Sequence, residues 1–239
     1  MNSPATILCL FLVTSAASAP APSETPSFGD PTSITNVHWP FEPGGIRLYR
    51  GHGDGVALVV VERCLAATRV FELGGELVEC VVLEECEYAN GALFEVSLQY
   101  FAQADDGAVY MFGELVAEIE DGRIVGHGGS WLVGGPSAPR DPSEAVDAGA
   151  PTVFMPNHPQ LGEWWLPGNP YPVLDTTATV VCEDAELEVP AGAFDRVLVV
   201  RETSARPDVE DERKWWAPKV GVVQTQSKDE QLRLVASSF

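Results

Sequence analysis

From about Gly45 to Val133 the chain alternates apolar and polar residues with a period of two. Phe94, Val96, Leu98 and Tyr100 fall on one side of such a strand, and Glu95, Ser97 and Gln99 on the other. The next run repeats the pattern, with Val109, Met111, Leu115 and Ile119 set against Glu114, Glu118 and Glu120. Gly74-Gly75, Asn90-Gly91, Asp106-Gly107 and Asp121-Gly122 punctuate these runs. Asn-Gly and Asp-Gly accept the positive φ that tight hairpins demand. No helical period of comparable length competes. The pattern predicts a meander of five or six antiparallel strands.

Gly134 to Asp175 interrupts it. The first half is rich in Gly, Pro and Ala; the second, Met155 to Gly168, is irregular and aromatic. Long connections of this kind are commonly functional or mobile. Strand patterns resume at Thr176–Val189, Ala193–Thr203, Arg213–Gln226 and Gln231–Ser237, with Pro190-Ala191-Gly192 as the first turn. The predicted class is all-β: an antiparallel meander forming a curved sheet, half-barrel or barrel, with a long Pro/Gly/aromatic insertion.

The N-terminus changes the setting of this fold. A short apolar run, Ile7 to Val13, precedes the small residues Thr14 to Ala19. That is the layout of a secretory signal peptide, residues 1–19, and it predicts a secreted or periplasmic product. Ser15 and Ala17 suit the cleavage positions. The apolar run is shorter than the ~20 residues that cross a bilayer, so no membrane span is expected. Residues 20–36, rich in Pro and Ser at their start, read as a flexible leader. Residues 37–239 read as one β domain, long enough for a substantial core.

The formal charge is -21, from 35 acidic and 14 basic residues. So acidic a surface repels phosphate backbones and excludes nucleic acid as a partner. Anionic membranes are disfavoured for the same reason. No Asp-x-Asp-x-Asp-Gly loop is present, so an EF-hand is absent.

Four of the five cysteines lie beyond the predicted signal: Cys64, Cys80, Cys86 and Cys182. An even count in an exported chain points to disulfides. Cys80 and Cys86 on one strand would be ~20 Å apart, too far to bridge. A hairpin at Gly74-Gly75 brings Cys64 roughly opposite Cys86, which favours Cys64–Cys86 with Cys80–Cys182. The alternative is that they are buried small apolar residues.

Several segments resemble one family. His38 to Tyr49, with Trp39-Pro40-Phe41-Glu42-Pro43-Gly44, is similar to the "FPLxPGxxWxY" opening of a bacterial family of exported proteins and lipoproteins of unknown function. Gln99 to Glu114 resembles its "WYAQDxxGNVWYFGE" hairpin, Gly129-Ser130-Trp131 its "GSW", and Met155 to Gly162 its "MPAxPKVG". Val189 to Glu202 resembles "VPYGxFxxVLxTKE", and Lys214 to Val223 resembles "KYYAPGVGLV", with Lys219 where the pattern has glycine. Cys64 and Cys86 are not features of that pattern. The resemblance implies an all-β exported domain and implies no activity.

Two aromatic doublets stand out, Trp164-Trp165 and Trp215-Trp216. Neighbours in an extended chain face opposite ways, so one ring of each pair can be buried and the other exposed. With Trp39 and Tyr171 they are candidates to line a cleft for an apolar ligand or a sugar; the alternative is rings that cap an open end of the sheet. His52 and His127, each between glycines, are the weak metal candidates, with Asp54 or Glu163 as possible companions. No cofactor is expected, and no nucleophile motif, P-loop or HExxH occurs. Asp54 and Glu163 form a conceivable glycosidase pair. The expected role is an exported, non-catalytic binding or structural domain, whose partner would be an apolar ligand or a cell-envelope component. The alternatives are an extracellular hydrolase and a divalent-metal-binding surface protein.

Overall fold

The computed structural model describes residues 26–168, 175–206 and 209–239. The predicted signal peptide, the first leader residues and Tyr171 lie outside the described residues, as does the side chain of Trp164. No α-helix occurs among the described residues. The first strands are β1 (Ile46–Gly53), β2 (Val56–Leu73), β3 (Glu76–Ala89), β4 (Ala92–Gln103) and β5 (Val109–Glu120). Shorter ones follow: β6 (Arg123–Gly126), β7 (Trp131–Leu132), β8 (Val146–Asp147), β9 (Thr152–Met155) and β10 (Trp164–Gly168). The last five are β11 (Thr176–Val189), β12 (Gly192–Thr203), β13 (Glu212–Ala217), β14 (Gly221–Gln226) and β15 (Glu230–Ser237).

The predicted meander is present. Asn90 and Gly91 sit at φ +50° and +83°, and Asp121 and Gly122 at +50° and +72°, so both dipeptides make the left-handed hairpin turns their side chains permit. All strands join one sheet, in the order β10-β11-β12-β13-β14-β15-β1-β2-β3-β4-β5-β7-β8, with β6 and β9 also on β5. Among the described residues only β7 and β8 run parallel. The C-terminal β15 pairs with β1, so the two halves of the chain are stitched through their ends. Backbones approach closely there: a Cβ at Gly51 would lie 1.7 Å from the Gln231 carbonyl oxygen. Gly51, just before His52, therefore serves strand packing.

The sheet is curved and not closed into a barrel. Register shifts at Leu48/Tyr49, Cys64/Thr68, Glu87/Tyr88, Tyr100/Phe101 and Trp215/Trp216 supply local twist and bend. Its far ends meet through a side chain: the Trp165 indole donates to the Phe154 carbonyl at 3.2 Å. Two departures from the sequence pattern follow local chemistry. The expected strand Arg213–Gln226 is split into β13 and β14 by a turn at Pro218-Lys219-Val220, where Lys219 has φ +66°. The insertion after Gly134 carries β8, β9 and β10, too short to show a period in sequence.

The expected disulfides do not form; Cys64, Cys80, Cys86 and Cys182 are all free. Cys64 stands opposite Leu83, and Cys86 opposite Val61. That offset of an odd number of residues puts the two thiols on opposite faces of the sheet. Cys80 lies across from Arg69, while Cys182 pairs with Val199 in the other half of the sheet. Burial pushes the Cys64 thiol up to about 11 and the Cys80 thiol higher still.

Candidate functional site

The concave side of the sheet holds a cavity of about 180 Å³. Its lining comes from Trp39, from Tyr49 on β1, Val60 and Glu62 on β2, Glu85 on β3 and Gln99 on β4, from Phe154 on β9, and from Lys214, Trp216, Val222, Thr225 and Leu232 on β13 to β15. Strands from both halves of the chain can share one cavity only if these side chains face the inside of the curve. Register agrees: Glu62 opposes Glu85, Glu85 opposes Ser97, Gln99 opposes Glu114, and Lys214 opposes Thr225.

One wall is aromatic. Trp39 packs against Phe101 at 5.1 Å, Phe154 at 4.9 Å and Trp216 at 6.0 Å between ring centroids. Burying each such ring stabilises by roughly 1.5–3 kcal/mol. Asn36 sets the position of Trp39. Its side-chain amide donates to the carbonyls of Gly107 (3.1 Å) and Pro156 (3.0 Å), and its side-chain oxygen accepts from His38 N–H (3.0 Å). The segment ahead of Asn36 is tied to the turn after β4: Ser27 Oγ and Gly29 N–H both donate to Asp105, at 2.6 and 2.7 Å.

The other wall is charged. Arg47, 1% exposed, donates from Nη1 to Glu62 Oε2 at 2.9 Å. Its Nε reaches the Val220 carbonyl and its Nη2 the Pro40 carbonyl, both at 2.7 Å. The guanidinium also lies 5.1 Å from the Trp39 ring centre. Lys214 donates to Glu202 at 2.9 Å and lies 3.3 Å from Glu212. Tyr49 donates to the Val222 carbonyl at 3.0 Å. Burial raises the Tyr49 hydroxyl well above its ordinary value, and the nearby Glu62 charge adds to the effect.

Glu85 is different. Among the described residues it makes no hydrogen bond and no ion pair, and the Lys214 charge is the smallest of the influences on it. Burial first, then the charges of Glu62, Glu87 and Glu114, hold its carboxyl well above the usual range. Burial and Glu95 push Glu114 up to about 7, against hydrogen bonds from Gln99 and Ser97 that pull it down. Burial and Glu95 also push Glu87 up to about 7, and Glu95 itself is raised by burial and Glu118. At neutral pH this wall shares protons among several carboxyls.

Of the aromatic candidates, Trp39 and Trp216 meet in the cavity. Trp165 is buried beside it, on the Phe154 carbonyl. Trp215, the outward neighbour of Trp216, is half-buried and packs from the other face. Trp164 and Tyr171 offer no described side chain. His52 is exposed on β1, while His127 Nδ1 is 2.6 Å from the Val116 carbonyl oxygen. They are not brought together, and no group of three metal-binding side chains converges among the described residues. Asp54 is exposed, and Glu163 Oε2 accepts from the Gln160 N–H at 2.9 Å within its own loop. The alternating pattern had placed Glu95, Ser97, Gln99 and Glu114 on one side of their strands, without revealing that this polar side is the enclosed one. Family models, curated proteins and solved structures yield no match to this chain.

Proposed function

We propose that the chain is a non-catalytic binding domain whose concave face takes a small ligand with an apolar part and a polar end. The observation that carries this reading is the two-sided cavity, with Trp39, Phe154 and Trp216 on one wall and Glu62, Glu85, Gln99 and Lys214 on the other. Apolar walls with a few convergent polar groups are the ordinary build of a ligand site. The signal-like N-terminus and the motif resemblance support an exported location, secreted or periplasmic. The raised Cys64 and Cys80 thiols suit that setting, since protonated thiols are poor nucleophiles.

Native mass spectrometry of the mature chain, purified from its source, tests the reading. A small-molecule adduct is expected on the wild type and lost in Trp216→Ala. An empty wild-type chain, with no change in tryptophan emission across a panel of small amphiphiles, would overturn it.

One observation favours a second reading, a hydrolase. Glu62 is held by Arg47, while burial and the neighbouring glutamates hold the carboxyl of its cross-strand neighbour Glu85 well above the usual range. Paired carboxyls in unlike environments suit acid and base roles. Turnover of a soluble glycoside, abolished by both Glu62→Gln and Glu85→Gln, would favour it over simple binding.

A further inference from the structure

Resting on the binding reading above, we infer that residues 36–40 are a gate. In this conformation the Trp39 ring takes up part of the ligand site. The segment lifts, carrying the ring with it, to admit a ligand larger than the present cavity.

The build of the cavity wall points to this segment. Among the described residues, every one that lines the cavity sits on a strand of the sheet except Trp39. Widening the site anywhere else pulls a strand out of its ladder. Moving residues 36–40 breaks no ladder. It releases the Asn36 amide from the Gly107 and Pro156 carbonyls, the Thr35 and Asn36 N–H groups from Gln103 Oε1 (2.8 and 2.9 Å), and the Val37 carbonyl from the Lys219 N–H. Arg47, on the Pro40 carbonyl, holds the far end of the segment. Size gives the motive. The cavity measures about 180 Å³, whereas sites for drug-sized ligands span roughly 300–1,000 Å³. The Trp39 ring, against Phe101, Phe154 and Trp216, stands where the added room is found.

A separate observation marks the closed position as costly. Two polar atoms on this short segment, His38 Nδ1 and Trp39 Nε1, are buried without a hydrogen-bond partner. Such atoms weaken the conformation that buries them, and water satisfies both once the segment lifts. Outside any strand and burdened in its closed position, the segment belongs to the least stable parts of the fold, from which gates are drawn.

Two neutral probes separate the gate from the site: benzyl alcohol, which is small, and N-phenyl-1-naphthylamine, which is large and fluoresces when bound. Each is mixed with the full mature chain at neutral pH, and benzyl alcohol is followed by tryptophan emission. Stopped-flow rates for the large probe are expected to level off as its concentration rises, at the rate of gate opening. Asn36→Ala should raise that plateau about ten-fold. Gln103→Ala, on a half-buried side chain outside the cavity, should raise it by a smaller factor and decides the matter if Asn36→Ala does not fold. A rate that stays proportional to concentration, a plateau unmoved in the folded variants, or a large probe that binds none of the proteins while benzyl alcohol binds, overturns the gate and leaves the binding reading standing. Failure of both probes to bind the wild type and the variants overturns both.

Discussion

Glu62 and Glu85 stand opposite each other on β2 and β3, yet only Glu62 has a counter-ion, the Arg47 guanidinium at 2.9 Å. One carboxylate is built into the fold; its neighbour is left facing the cavity. Removing the cation therefore has a different consequence from removing the unpaired acid. Arg47→Ala leaves Glu62 buried without a partner and frees the Pro40 and Val220 carbonyls, at a cost of about 3–5 kcal/mol. Glu85→Gln removes repulsion and should raise stability at pH 8 by about 1 kcal/mol. Urea midpoints of the two variants check both signs. A stabilising Arg47→Ala, or a destabilising Glu85→Gln, would contradict this division of roles.

Stability should fall as pH rises through neutrality. Glu85, Glu87, Glu95 and Glu114 all hold protons more tightly in the folded state than their ordinary value of 4.5 allows. Between 4.5 and about 7 the folded chain thus binds more protons than the unfolded one, and the slope of stability with pH is negative. The contribution is fully present below the unfolded value and lost as the folded groups ionise. Asp141 works the other way: hydrogen bonds from Arg69 and from the Ala138 and Ser137 N–H groups lower it, so its contribution disappears as pH falls below about 3.8. Thermal melts should peak near pH 5 and drop by several degrees at pH 8, and Glu114→Gln should flatten that drop. A melting temperature that climbs steadily from pH 5 to pH 8 would remove the basis for a proton-sharing wall.

The fold was largely legible in the sequence because hairpin turns carry their own chemistry. Asn90-Gly91 and Asp121-Gly122 announce themselves by residue type, and long alternating strands flank them. What sequence does not announce is a bulge. An ideal two-residue turn at Asn90-Gly91 would set Glu87 against Phe94, whereas the shift at Glu87/Tyr88 sets it against Glu95. The shift at Cys64/Thr68 moves Cys64 from one residue off Cys86 to three, although either odd offset leaves the two thiols on opposite faces. Half of the site, Trp39 and Trp216, was visible as aromatic residues in a β-rich chain. The acidic half was hidden in a composition with many acids, because alternation shows that a strand has two sides and not which side is enclosed.

The cysteines differ in access. Cys64 and Cys80 are 2% and 0% exposed, with thiols raised by burial, and Cys86 lies beneath the Arg63 guanidinium at 3.5 Å. Cys182, half-buried on β11, is the accessible one. A native chain treated with a thiol reagent at pH 8 should label quickly at Cys182 and slowly elsewhere, and all four sites should label in urea. Mass mapping that finds a blocked pair in the oxidised, unfolded chain would show a bridge and refute the register argument.

Lys219 is the position where a local rule is broken. It takes φ +66° in the turn between β13 and β14, a conformation that costs a side chain roughly 1–2 kcal/mol and glycine little. The turn is held regardless, because its backbone N–H donates to the Val37 carbonyl at 2.6 Å and Val220 next to it accepts from Arg47. Those contacts tie the turn to the segment that carries Trp39 into the cavity. Lys219→Gly keeps both hydrogen bonds and relieves the backbone, and it should stabilise the chain by up to about 1 kcal/mol after glycine's extra unfolded-state entropy is taken off. Lys219→Pro cannot adopt a positive φ and has no N–H for Val37, so it should destabilise by about 3 kcal/mol and shift the Trp39 emission. Chemical denaturation of the pair, read by tryptophan fluorescence, checks both. If glycine destabilises by as much as proline does, the lysine side chain itself, and not the turn's backbone, is what holds Trp39 in place.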